Sequence, residues 1–239
     1  MDLLYLEEVE STNKYAKDNI SNLADKTVIY TSNQTAGRGR LQRKWNYLGK
    51  DNIYASIVLK PSCEMKEVYS NLTQYLCVVL SETFEEYGVK PTIKWPNDIQ
   101  IKGKKISGIL AEGVNGKNGL EGLVLGFGVN LNCEEKLLNE INQPATSLNL
   151  EIGMEIDKEK FLKTLLDKFC LRYDKFIEEG FLLIKKDYIK KAGFLDKEVT
   201  VRVFDKTVDG IAKDITDNGA LKLVDKDGNE HVLLIGDIL

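Results

Sequence analysis

Apolar positions recur with a period near two in some stretches of this chain and near 3.6 in others, and the change of period marks its elements. "TVIY" at Thr27–Tyr30 reads as a strand, and "NIYASIVLK", Asn52–Lys60, alternates as a second. From Lys66 the period lengthens: Val68, Leu72, Tyr75, Leu76, Val79, Phe84 and Tyr87 fall at helical spacing, and Gly88 is placed to end the helix. "TIKWPNDIQIKGKKISGILAEG" predicts a strand, a Pro-centred loop, and a hairpin turning at Lys102-Gly103. "LEGLVLGFGVNLN" is a long β-type run with glycines inside it, which suggests that a ligand or another backbone comes close. A second strong helix begins near Asp157, with Phe161, Leu162, Leu165, Leu166, Phe169, Tyr173, Phe176 and Ile177 as one apolar stripe that reads as core.

After Gly193 the segments "KEVTVRVF", "VDGIAKDI", "ALKLVD" and "EHVLLIG" are short and partly alternating, with turn signals at Asn218-Gly219 and Asp227-Gly228. The expectation is an α+β fold in two parts. Residues 1–192 form a mixed β-sheet packed by helices, and residues 193–239 form a small all-β barrel, with the boundary near Lys191 to Leu195.

The composition narrows the class. Hydrophobic residues make up 43% of the 239 and charged residues 29%, which is the balance of an ordinary folded domain. A formal net charge of -4 argues against general affinity for nucleic acid, although it leaves room for a local basic patch. Cys63, Cys77, Cys133 and Cys170 form no CxxC pair and His231 is the only histidine, so no metal site is expected. Scattered cysteines read as reduced, mostly packed thiols. The N-terminus is acidic where a signal peptide needs a basic region, and no apolar run approaches the roughly 20 residues of a membrane span. The expectation is a soluble cytoplasmic protein with no membrane partner.

Five stretches can carry chemistry. In "TAGRGRLQRKW", Thr35–Trp45, glycines 37 and 39 allow backbone N–H groups to converge as an anion nest, with Arg40 and Arg43 adding charge-assisted hydrogen bonds and Trp45 a stacking face. Read alone, the stretch is equally a solvated basic loop or a short nucleic-acid contact. Lys94-Trp95-Pro96-Asn97-Asp98 presents an amide and a carboxylate at a strand entry, or is simply a well-made turn. Lys105 opens an apolar strand, where its ammonium can neutralise an anion or merely sit at the surface. Gly126-Phe127-Gly128-Val129-Asn130 is half a dinucleotide fingerprint without its third glycine or helix, although Asn130 can read an adenine edge. Ser11-Thr12-Asn13 precedes a helical run, so one of them is an N-cap, and a helix start also offers polar groups to a ligand.

Taken in order, "STN" (Ser11–Asn13), "QTAGRGRLQRKW" (Gln34–Trp45), "KWPND" (Lys94–Asp98), "KKISGIL" (Lys104–Leu110), "GFGVNLN" (Gly126–Asn132) and, more weakly, "ATSL" (Ala145–Leu148) resemble the biotin protein ligase family. The resemblance runs along nearly the whole chain, and the β-rich tail is similar to the family's SH3-like C-terminal domain. It implies two steps. The carboxylate of biotin attacks the α-phosphate of Mg-ATP to give biotinyl-5′-AMP and pyrophosphate. A lysine amine on a biotin carrier domain, such as that of acetyl-CoA carboxylase, then takes the biotinyl group and releases AMP.

The same resemblance assigns Arg40 and Lys105 as catalytic. It places Ser11, Thr12, Asn13, Gln34, Gly37, Arg38, Gly39, Arg40, Trp45, Lys105, Gly108 and Gly128 at biotin. At ATP it places Arg38, Arg40, Arg43, Trp45, Asn97, Lys105 and Asn130, with Mg2+ accompanying the nucleotide. The glycine loop is expected to be mobile before biotin arrives and ordered over the reactive anhydride afterwards. With "STN" beginning at residue 11 there is no room before it for the helix-turn-helix domain of some members, so no direct DNA binding is expected. A lipoate or octanoate ligase on the same fold and a non-enzymatic nucleic-acid binder are the alternatives. Monomer and side-by-side homodimer both stay open.

Overall fold

A computed structural model gives the fold, and residues 1–60, 67–117 and 119–239 are described in it. Lys66, at the head of the first predicted helix, and Cys63, read as a packed thiol, lie outside the described residues.

The larger sheet has seven strands. In chain order they are β1 (Leu3–Val9), β2 (Val28–Gln34), β3 (Ile53–Leu59), β4 (Pro91–Lys94), β5 (Asp98–Ile101), β6 (Lys104–Gly116) and β7 (Gly119–Val129). Their spatial order is β1-β2-β3-β7-β6-β5-β4. Among the described residues of this sheet only β1 and β2 pair in parallel, with Leu3 opposite Val28, while the other neighbouring strands pair antiparallel. β3 is buried at all seven positions because the sheet is covered on both faces. Ile57 faces the main core, whereas Val58 faces the short helix α1 (Thr12–Asp18) together with Ile29, Val124 and Ala16. The predicted hairpin is present: Lys102 and Gly103 have φ of 51° and 78°, and the two strands it joins, β5 and β6, pair antiparallel.

The main helical layer consists of α2 (Leu72–Glu85), α5 (Lys158–Glu179) and α6 (Leu182–Lys191). Between them in sequence lie two single-turn pieces, α3 (Glu135–Asn139) and α4 (Leu148–Ile152). α2 starts later than its periodicity predicted, with Glu67–Asn71 forming a 3-10 turn ahead of it. α5 begins where expected, with the Asp157 carboxylate accepting from the Lys160 N–H at 3.0 Å, and it stops at Gly180, whose φ is 70°. Its stripe is buried against α2. The Tyr75 ring stacks on Phe176 at 4.5 Å, and its hydroxyl donates to the Phe169 carbonyl at 2.6 Å. Burial of that phenol pushes its pKa well above the ordinary tyrosine value. Tyr75→Phe keeps the packing and removes one buried hydrogen bond. It should cost about 1 kcal/mol in a urea titration, with an unchanged m-value.

The second sheet is antiparallel, in the order β11-β10-β9-β8-β12. Its strands are β8 (Glu198–Val203), β9 (Lys206–Ile215), β10 (Leu221–Val224), β11 (Glu230–Leu233) and β12 (Asp237–Ile238). Both predicted turns are present, with Gly219 and Gly228 at φ of 81° and 84°. One buried core runs through both sheets, because Val201, Ala212, Leu221 and Leu223 pack in the same cluster as α2 and α6. The turn at Gly219 is also tied polarly. Its carbonyl accepts from Gln74 Nε2 at 2.8 Å and from the indole of Trp95 at 3.3 Å, and Asn71 donates to the Asn218 carbonyl at 3.0 Å.

Two of the three described cysteines are packed. Cys77 and Cys133 are buried, which raises their thiol pKa values, whereas Cys170 is exposed on α5. Among the described residues no helix is long and apolar enough to cross a membrane, and no group of His, Cys, Asp or Glu is placed to hold a metal ion.

Candidate active site

A cavity opens on the α1 face of the large sheet, where β6 and β7 carry glycines in place of side chains. A Cβ on Gly126 would lie 1.9 Å from Asn13 Oδ1, and one on Gly128 would lie 2.2 Å from the Trp45 ring. One on Gly108 would come within 2.9 Å of the same ring and 3.1 Å of Lys105 Nζ. The interior glycines therefore make room for other parts of the protein to reach the sheet. Ligand space lies beside those groups.

The N-terminus of α1 forms one wall. Ser11 caps it, accepting from the Lys14 N–H at 3.4 Å. Gln34 Oε1, at the end of β2, accepts from the Thr12 N–H at 2.9 Å and from its hydroxyl at 3.2 Å. Asn13 Nδ2 donates to Glu112 Oε2 at 2.9 Å, while Ser56 donates to Asn13 Oδ1 at 2.6 Å. The result is a buried, mutually oriented set of short polar groups.

The glycine-arginine loop forms the second wall as a narrow hairpin. Arg38 bridges Lys44, Gly39 N–H donates to the Arg43 carbonyl at 2.7 Å, and Trp45 N–H donates to the Gly37 carbonyl at 3.0 Å. This differs from the expected anion nest. Neither Gly37 nor Gly39 has positive φ, that conformation falls on the exposed Leu41 at φ 51°, and the Gly39 N–H is already spent. What demands glycine at 37 is space, since a Cβ there would lie 2.5 Å from Gln34 Nε2 and 2.6 Å from the Trp45 carbonyl.

Among the described residues six cationic side chains line the cavity, Arg38, Arg40, Arg43, Lys44, Lys94 and Lys105, and two carboxylates face them. Lys105 Nζ is 2.8 Å from Asp98 Oδ1 and 5.6 Å from the centre of the Trp45 ring. Arg40 Nη1 lies 3.1 Å from Asp237 Oδ1 and donates to Asn97 Oδ1 at 3.4 Å, while Arg43 Nη2 is 3.3 Å from Asp237 Oδ2. Lys94 lines the cavity half-buried; loss of solvent lowers its ammonium pKa, and Lys105 and Arg43 push the same way against Asp98 and Asp237. Among the described residues, four buried side-chain polar atoms lack an aligned hydrogen bond, and three of them line this cavity: Trp45 Nε1, Asp98 Oδ1 and Asp237 Oδ2. For the two carboxylate oxygens the cations are close enough for charge attraction but are not aligned as donors. Unsatisfied polar atoms gathered in one place are a mark of a site built for a polar ligand.

Thirteen of the residues singled out from sequence line this one cavity. Gly37 and Asn130 do not. Asn130 is buried behind Trp45, where its amide donates to the Thr146 carbonyl at 3.0 Å and its backbone joins Ile106 to Leu148. It lines a smaller neighbouring pocket that it shares with Trp45 and Lys105. Asn97 lines the cavity but also has a framework role, donating to the Ile109 carbonyl at 2.6 Å. The weak "ATSL" element runs beside Lys105, whose N–H donates to the Pro144 carbonyl and whose carbonyl accepts from Thr146 N–H. Sequence reasoning missed Asp237, which reaches the cavity from the second sheet, and gave no role to Lys94 although it quoted the motif containing it. A lysine directly before a Trp-Pro pair, inside a motif already singled out, was a usable signal. A lone aspartate near the end of a β-rich tail was not.

The family model for the biotin/lipoate A/B protein ligases matches residues 5–130, and the biotin protein ligase C-terminal domain matches residues 194–239. The chain is 32% identical over 233 residues to the bifunctional ligase/repressor BirA of Bacillus spizizenii, covering 96% of this chain and 71% of that one. It is 28% identical to the biotin–[acetyl-CoA-carboxylase] ligase of Paracoccus denitrificans, covering 91% and 92%. The solved structure of the biotin protein ligase of Aquifex aeolicus in complex with biotin and ATP superposes with a TM-score of 0.86 at 28% identity, covering 100% of this chain and 97% of that one. With one model spanning more than half of the chain and a second spanning its C-terminal sheet, this chain belongs to the biotin/lipoate A/B protein ligase family.

Proposed function

We propose that this protein activates biotin with ATP and transfers it to a lysine of a biotin carrier domain, of the kind carried by acetyl-CoA carboxylase. The observation that carries this reading is the convergence of Arg40, Arg43 and Lys105 over a glycine floor, directly beside the polar set of Thr12, Asn13 and Gln34. In the first step a biotin carboxylate oxygen bonds to the α-phosphorus of ATP, and the bond from that phosphorus to the bridging oxygen breaks, releasing pyrophosphate. Two anions must meet, so the barrier falls most where fixed cations face the charge at the reacting centre. Arg40 and Lys105 serve there as catalytic residues. Arg38, Gly39 and Arg43 hold the nucleotide side, and Asn97 fixes the Arg40 guanidinium. Mg2+ enters with ATP on its phosphate oxygens. In the second step a neutral lysine amine attacks the acyl carbon, the bond from that carbon to the phosphate oxygen breaks, AMP leaves, and the nitrogen loses its proton.

The ureido ring of biotin offers one carbonyl and two N–H groups, each needing a partner once buried. Thr12, Asn13 and Gln34 supply acceptors and donors already oriented by Ser56 and Glu112. Ser11 lies beside them, and Gly108, Gly128 and Trp45 form the apolar floor. Asn130 supports that floor from behind. Residues 1–192 act as the catalytic unit and 193–239 as its closing wall, and the reaction takes place in the cytoplasm, where ATP is available. The match of residues 194–239 to a biotin protein ligase C-terminal domain favours biotin over lipoate as substrate. With biotin, Mg-ATP and a carrier domain, the purified protein should release pyrophosphate only when biotin is present, and should label one carrier lysine. Transfer of lipoate but not biotin, or of neither, would overturn the reading.

A further inference from the structure

The guanidiniums of Arg40 and Arg43, which the proposed function sets at the reacting α-phosphate and on the nucleotide side, are not free in this structure. The Asp237 carboxylate sits between them, 3.1 Å from one and 3.3 Å from the other. It comes from the first residue of β12, in the other sheet, and its side chain is 8% exposed. Among the described residues nothing aligned holds its Oδ2 by hydrogen bonding, and charge attraction to the two arginines is what fixes that oxygen. The strand presenting it is two residues long and, among the described residues, pairs only with β8 through Arg202 and Val201, with the Leu239 N–H donating to the Thr200 carbonyl at 2.9 Å. Gly236 precedes it at φ 146°, a conformation that favours glycine.

We propose that Asp237 is a displaceable counter-ion that occupies the seat of a phosphate group between Arg40 and Arg43 and yields it when the nucleotide binds. A desolvated carboxylate and a phosphate oxygen at the same two guanidiniums repel each other strongly in a medium of low dielectric constant, so the arginines exchange one anion for the other. Asp237 thus holds the loop against the second sheet when no nucleotide is bound and lowers the affinity for nucleotide. Its release loosens β12. No bond is made or broken in the exchange. Only ion pairs are traded.

This inference rests on the nucleotide reading of the site, and its test separates the two. The binding of α,β-methylene-ATP in the presence of biotin is measured by calorimetry on the full chain and on Asp237→Asn, without turnover. The variant should bind about fivefold more tightly, the scale of one partly exposed ion pair. Equal or weaker nucleotide binding by the folded variant would overturn the proposal. A wild-type protein that binds the analogue but never releases pyrophosphate from ATP would instead overturn the ligase reading alone. Hydrogen exchange on the unmodified protein gives an independent reading should the variant not fold. Adding the analogue should speed exchange of the Leu239 amide, and unchanged or increased protection there would overturn the proposal.

Discussion

Replacing Lys105 by alanine is expected to lower biotin-dependent pyrophosphate release by about 100- to 1000-fold, the usual consequence of removing one preorganised charge-stabilising group. The backbone around Lys105 is clamped on both sides, its N–H donating to the Pro144 carbonyl and its carbonyl accepting from Thr146. Its ammonium therefore starts from a fixed base, and it lies 2.8 Å from Asp98 with the Trp45 ring beside it. Water cannot replace it cheaply, because reorienting solvent dipoles around two approaching anions is the cost that a fixed cation avoids. Lys105→Arg should recover little, since a planar guanidinium cannot occupy the space between Asp98, Gly108 and the indole. The KM for biotin should change far less than kcat, and steady-state kinetics by pyrophosphate detection resolves the two. A Lys105→Ala protein within tenfold of the unmodified rate would remove Lys105 from the catalytic role.

The second large effect is expected at Gly126, where nothing chemical is changed. Gly126→Ala places a methyl group 1.9 Å from Asn13 Oδ1, and that oxygen has no easy retreat because Ser56 donates to it while Glu112 and the Leu110 carbonyl hold its amide nitrogen. Either Asn13 turns out of its network or the start of α1 lifts from β7. Both outcomes spoil the groups proposed for the ureido ring, and a buried ring polar group left without a partner costs about 1–3 kcal/mol. Biotin affinity should fall by about 100-fold in calorimetry. The overpacking itself costs about 1–3 kcal/mol, a drop in Tm of roughly 2–10 °C for a chain of this size. Affinity for the nucleotide analogue should be nearly unchanged, because the arginines approach from the opposite wall. Unaltered biotin binding would show that Asn13 does not face the ligand.

Much of this arrangement was legible beforehand, and the gaps have physical causes. Strong periodicity located α5 and its buried stripe, and positive-φ glycines located the hairpin and both turns of the second sheet. β1 went unread because it is a half-exposed edge strand whose alternation is broken by Glu7 and Glu8 before its last residue, Val9. α6 went unread because lysines dominate it, and only Ile184 and Tyr188 with the stem of Lys191 are buried on it. At the site, residues within compact motifs were found together, since local spacing fixes their neighbourhood. Asn130 lines a neighbouring pocket with Trp45 and Lys105 instead of the main cavity, and its motif alone could not show that, because Trp45 comes from a distant loop. Asp237 lies almost 200 residues from the arginines it meets, and only the closing of two sheets on one core brings them together.

The docking of the Gly219 turn on Trp95 has a mechanical meaning. Trp95 is almost fully buried and stands two residues before Asn97, whose amide holds both the β6 backbone and the Arg40 guanidinium. The small sheet therefore reaches Arg40 by two routes, directly through the Asp237 carboxylate and indirectly through Trp95 and its near neighbour Asn97. The seating of the smaller sheet is thereby coupled to the Arg40 guanidinium through both its ion pair and its hydrogen bond.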